Sequence, residues 1–71
     1  MTKAELKEHL FKEAYKNDEM RKFFRDHEDN ARADVYRHGW AVLYDIIENE
    51  GWEDDYIEYQ LEQYREGQYD R

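Results

Sequence analysis

Residues 33–51, ADVYRHGWAVLYDIIENEG, decide how this 71-residue chain folds. At helical period, Val35, Gly39, Val42, Leu43, Ile46 and Ile47 share one side, widened by Tyr36 and Trp40. Arg37, His38, Asp45, Glu48 and Asn49 fall on the other. A broad apolar stripe with a polar back marks a helix packed into a core, so a central helix is expected over 31–50. Gly51 supplies the left-handed residue with which helices commonly end. No other segment is as apolar, and the others are expected to pack against this one.

Upstream, Thr2 and Glu5 have the spacing of a capping box, in which each side chain satisfies a free backbone N–H of the other. Leu6, Leu10, Phe11, Ala14 and Tyr15 mark the buried face of a first helix over 3–16. Glu8 and Lys12 are set for an i,i+4 pair on its outside. Asn17-Asp18 reads as a stop and restart, because Asn tolerates a left-handed turn and Asp caps a following helix. A second helix over 19–26 then has Met20, Phe23 and Phe24 as its apolar edge. The polar run RDHEDN, residues 25–30, is the expected connector, with Asp29 or Asn30 capping the central helix. One unbroken helix from Asp18 to Glu50 is the rival reading.

Downstream, Trp52 is placed to fold back on the central helix. Glu53, Asp54 and Asp55 suit the positive end of the backbone dipole at the start of a last helix over 54–66. Ile57, Leu61 and Tyr64 form its expected inner stripe, Gly67 its end, and residues 68–71 a frayed tail. The segment DDYIEYQLEQY alternates over a few residues, so a short strand competes there. The expected fold is all-α: a small bundle of three to four helices in one domain, 1–71.

A chain of this size buries only roughly 60% of its unfolded surface, so its core is thin. It has no cysteine, hence no disulfide and no thiolate metal site. No apolar run approaches the ~20 residues of a membrane span, and MTKAELKEHL carries acids where a secretion signal needs an apolar stretch. A cytoplasmic protein is expected. Aromatic residues make up 17% of the chain beside 42% charged ones, and those aromatics separate it from a disordered acidic tail.

Charge is segregated. Before Asp45, nine Lys or Arg balance nine Asp or Glu; from Asp45 onward ten acids face only Arg65 and Arg71. The whole formal charge of −8 therefore lies in the C-terminal third.

Catalytic constellations are missing. The run Asp26–Asn30 resembles the start of a calcium loop, but the sixth position is Ala31 and the twelfth Arg37, where that loop needs Gly and Glu. Residues three before His9, His27 and His38 are Leu6, Phe24 and Val35, so no Glu-x-x-His metal pair exists. Asp34/His38 and Glu5/His9 have the spacing with which a carboxylate orients an imidazole, yet there is no Ser or Cys nucleophile. No enzyme, metal or cofactor is expected. The basic cluster Lys12, Lys16, Arg21, Lys22 and Arg25 is interrupted by acids, and the net charge repels phosphates, so no direct nucleic acid binding is expected.

The acids remain. Asp55, Glu58, Glu62 and Glu66 recur every three or four residues, a row spaced about 6 Å apart along one helix edge. Asp45 and Glu48 add a pair on the outer face of the central helix, and Asp54 lies at the turn between. Tyr56, Tyr59 and Tyr69 add amphipathic area of the kind enriched at binding hot spots. In the acids and tyrosines of DIIENEGWEDDYIEYQLEQYREG, residues 45–67, the chain resembles small acidic helical inhibitors of bacteriophages and mobile elements. That resemblance implies imitation of DNA to block restriction enzymes, CRISPR nucleases or other DNA-binding proteins. The neutral first 44 residues limit it to one acidic face.

The expected function is non-catalytic occlusion of a basic, nucleic-acid-binding site on a partner protein. Asp45, Glu48, Asp54, Asp55, Glu58, Glu62 and Glu66 are the phosphate substitutes, and Tyr56 and Tyr59 flanking contacts. The alternative is a small helical adaptor or homodimer whose acidic face is merely solvated.

Overall fold

In the computed structural model, which describes residues 1–69, three helices follow one another: α1 over Lys3–Asp26, α2 over Asn30–Asn49 and α3 over Glu53–Tyr69. The fold is a small all-α bundle, and the stretch that competed as a strand is helical. α1 and α2 form an antiparallel hairpin, with Lys3 at the start of α1 bridging to Glu50 at the end of α2 at 3.5 Å. Among the described residues no helix is long and apolar enough to cross a membrane.

Helix ends follow local chemistry. Glu5 N–H donates to Thr2 Oγ1 at 3.2 Å and Thr2 N–H to Glu5 Oε1 at 3.3 Å, completing the capping box. α2 stops in a Schellman motif: Trp52 N–H reaches back to the Ile47 carbonyl at 2.9 Å and Gly51 N–H to that of Glu48 at 3.0 Å. Gly51 takes the positive φ of 74° that this geometry requires. The same motif ends α1 without a glycine. Asp29 N–H bonds the Phe24 carbonyl at 2.8 Å, Glu28 N–H that of Arg25 at 3.1 Å, and Glu28 itself sits at φ 60°. Asp29 then caps α2 by accepting from Arg32 N–H at 3.2 Å. The connector therefore shrinks to three residues, and the unbroken helix from Asp18 to Glu50 is excluded.

Two expected boundaries are corrected. α1 runs through Asn17-Asp18 with no stop, because both side chains are engaged elsewhere. Asn17 Nδ2 donates to the Glu13 carbonyl at 2.7 Å. Asp18 is buried and accepts from Arg21 at 2.8 Å and pairs with Lys22 at 3.1 Å. Gly67 does not end α3, which continues to Tyr69; of the expected frayed tail, Asp70 and Arg71 lie outside the described residues.

The core is small and aromatic. Leu10, Phe11 and Ala14 of α1, Ile47 of α2 and Tyr56 of α3 form its centre, with Trp40, Leu43, Tyr44, Trp52 and Tyr59 packed around them. Tyr56 enters between the hairpin helices, its ring 5.3 Å from Phe11 and 5.9 Å from Tyr44. The expected faces of α2 and α3 are each corrected by about one residue. Val35, Val42 and Ile46 stay exposed while Ala33 and Ile47 are buried, and Ile57, Leu61 and Tyr64 stay exposed while Tyr56 is buried. On α1, Leu6 is exposed as well.

Candidate partner-binding face

At about 100° per residue, α3 divides into three edges. Tyr56, Tyr59, Gln60 and Gln63 turn toward the hairpin. Asp54, Asp55, Glu58, Glu62 and Glu66 form an exposed acidic edge, and Ile57, Leu61 and Tyr64 an exposed apolar one. From Asp55 to Glu66 the acidic edge spans about 16 Å at 1.5 Å per residue.

Neutralisation is commoner on the hairpin, although among its described residues Glu5, Glu13, Glu28, Asp45 and Glu48 have no ion pair. Asp18, Glu19, Asp26, Asp29 and Asp34 each lie within ion-pair distance of an Arg or Lys one to four residues away. Glu8 pairs with Lys12 at 3.9 Å. On the candidate face only Asp55 is paired, to Lys7 of α1. Among the described residues, Asp45, Glu48, Asp54, Glu58, Glu62 and Glu66 have no basic side chain within 4.0 Å. The long-range neutralisation that would dissolve the charge asymmetry thus reaches a single residue of the set.

The structure does not bring all the candidate residues together. Asp54, Asp55, Glu58, Glu62 and Glu66 share the α3 edge. Glu48 projects from α2 on the flank nearer α3, and helical period turns Asp45 about 60° further away from it. Tyr56 is 1% exposed and belongs to the core, so it adds no contact area. Tyr59 is half-buried, its ring 5.7 Å from Phe11 and 6.0 Å from Tyr15.

Elsewhere, an open groove of about 320 Å³ runs between α1 and α3, lined by Tyr15, Asp18, Lys22, Ile57, Leu61 and Tyr64. Burial works against the Asp18 charge, but hydrogen bonds from Arg21 and Lys22 outweigh it and hold the carboxyl below its usual range. A carboxylate so held is a poor proton acceptor at neutral pH. Burial raises the Tyr15 hydroxyl, with Glu19 adding to it. Asp34 pairs with Arg37 at 3.1 Å rather than orienting His38, and Glu5 is taken by the capping box rather than by His9. Among the described residues no group of three or more His, Asp or Glu is disposed to hold a metal.

Sequence reasoning missed Asp18 as an ion-pair centre, although Arg21 and Lys22 stand three and four residues beyond it, the spacing that signals such a pair. No family model, curated protein or solved structure matches the chain.

Proposed function

We propose that the protein is a non-catalytic, DNA-mimic type inhibitor, which occludes a basic, nucleic-acid-binding site on a partner protein through the acidic edge of α3. One observation carries the reading: among the described residues, Asp54, Glu58, Glu62 and Glu66 stand exposed along one edge with no basic side chain within 4.0 Å, while Glu8, Asp18, Glu19, Asp26, Asp29 and Asp34 of the hairpin are paired locally. Like charges one turn apart oppose helix formation, so beyond the first turn, where Asp54 suits the helix dipole, Glu58, Glu62 and Glu66 add nothing to the helix. A basic groove that follows nucleic-acid phosphates, themselves spaced by several Å, meets in it a rigid line of carboxylates at similar intervals. Glu48 extends the face, and Lys7 must be displaced for Asp55 to join it.

The test is retention of proteins from a bacterial extract on the immobilised chain, followed by competition. Proteins held by the acidic edge elute with double-stranded DNA and with rising salt, and the Glu58→Gln/Glu62→Gln/Glu66→Gln chain does not retain them. Retention indifferent to DNA, salt and these substitutions overturns the reading.

A further inference from the structure

We propose that Val35, Val42 and Ile46 are the centre of an antiparallel contact between the α2 helices of two copies of this chain. These side chains are 67%, 65% and 41% exposed. Helical period gathers them with Gly39 into a strip within about 60° of arc. The strip lies about 160° around α2 from Trp40 and Tyr44, the residues that hold Tyr56 of α3. It is therefore the face of the hairpin that α3 leaves uncovered. The buried core contains only Leu10 and Ile47 as large aliphatic side chains, and small domains with so little burial are commonly completed by association.

Charge identifies the occupant as a second copy. In an antiparallel pair related by a two-fold axis, each border of the strip faces the same border of the other copy. His38 and Asp45 lie on one border, and Arg32 and Glu50 on the other, each pair within about 20° of arc. One register satisfies everything together. It sets Val35 against the partner's Ile46 and brings Val42 beside the partner's Gly39. In that register His38 meets the partner's Asp45, and Arg32 meets the partner's Glu50, an exchange that displaces the exposed pairs Arg32–Asp29 and Lys3–Glu50. A parallel pairing instead brings opposite borders together, with Asp45 nearest the partner's Glu50 and His38 nearest the partner's Arg32. The antiparallel arrangement also keeps the two α3 acidic edges on opposite outer sides, where repulsion between chains of charge −8 is least. The contact is isologous and closes at two copies. It is separate from the α3 edge proposed above to bind a partner and does not depend on it.

Sedimentation equilibrium of the full chain tests this. The expected result is twice the 8.9 kDa chain mass. Val42→Glu is expected to give a monomer with unchanged far-UV circular dichroism, since the site is exposed in the single chain. Should that variant lose helix, Val35→Glu at an equally open position reads the same contact. His38→Glu places an acid against the partner's Asp45 and weakens dimerisation about tenfold or more; Asp45→Lys in the same chain restores it. The pairing is overturned by a wild-type chain that stays monomeric up to about 1 mM, by a dimer that both glutamate variants leave intact, or by failure of the charge exchange to restore association.

Discussion

Trp40 donates its indole N–H to the Tyr56 hydroxyl across 3.3 Å, and this bond lets a tyrosine occupy the middle of the core. A buried hydroxyl without a partner is costly, whereas here the two polar tips satisfy each other between α2 and α3. Tyr56→Phe leaves the indole N–H without its acceptor and is expected to cost about 1 kcal/mol in denaturant unfolding.

The same burial sets an alkaline limit. Desolvation raises the Tyr56 hydroxyl to about 12, against the lowering effect of the bond from Trp40. In the unfolded chain it ionises at its ordinary 10.0. Its contribution is thus complete below pH 10 and is lost as pH rises through 10 toward 12, at most about 3 kcal/mol at 1.36 kcal/mol per unit. Thermal midpoints between pH 8 and 12 should fall more steeply for the native chain than for Tyr56→Phe. The variant keeps a weaker slope, because burial also raises Tyr15 and Tyr59.

Asp18 works in the opposite direction. Its pKa is lowered in the fold, so its stabilisation is present above the ordinary 3.8 and is lost as pH falls through that range. Asp18→Asn should destabilise by about 2 kcal/mol at neutral pH, the scale of a charge-assisted hydrogen bond, and flatten the acid limb below pH 4 in thermal melts.

Glu28 holds φ 60° at the turn between α1 and α2, a conformation that costs a side-chain-bearing residue roughly 1–2 kcal/mol. Glycine adopts it freely but is freer in the unfolded chain too. Glu28→Gly is expected to raise stability by about 1 kcal/mol, measured by urea unfolding. A loss would mean that the Glu28 side chain has a role beyond the turn.

Asn17 and Gly39 are coupled. A Cβ on Gly39 would stand 2.7 Å from Asn17 Oδ1, inside contact distance, though against the end of a side chain rather than backbone. Gly39→Ala alone should leave stability within about 0.5 kcal/mol, helix propensity offsetting displacement of Asn17. Combined with Asn17→Ala it should gain about 1 kcal/mol, a non-additivity that a double-mutant cycle reads directly.

The acidic edge carries its own stability signature. Glu58→Gln/Glu62→Gln/Glu66→Gln removes like-charge pairs one turn apart and should stabilise by a few tenths of a kcal/mol per pair. The gain should shrink as salt rises. Stabilisation together with lost partner retention is the outcome expected of residues that serve binding.

The chain wrote its helix ends into short-range chemistry. Thr2 with Glu5, Asp29 before α2 and Gly51 after it each satisfy backbone groups within a few residues, so they are legible without knowing what lies across the bundle. The segregation of charge, and the α3 spacing that lines the acids along one edge, are equally local facts. Which face of α2 and α3 is buried is not. Apolar and aromatic residues cover more than half of each helix circumference, and periodicity that ranks Val, Ile and Leu first selects Val42 and Ile57. The fold instead chooses the face one residue away, where Trp40, Tyr44 and Tyr56 fill the space beside Phe11 and the polar tips of Trp40 and Tyr56 meet. That choice depends on partners from other helices, as does the capture of Asp55 by Lys7. Tertiary packing alone decided that the tyrosine of the acidic segment is core and that its isoleucine faces water.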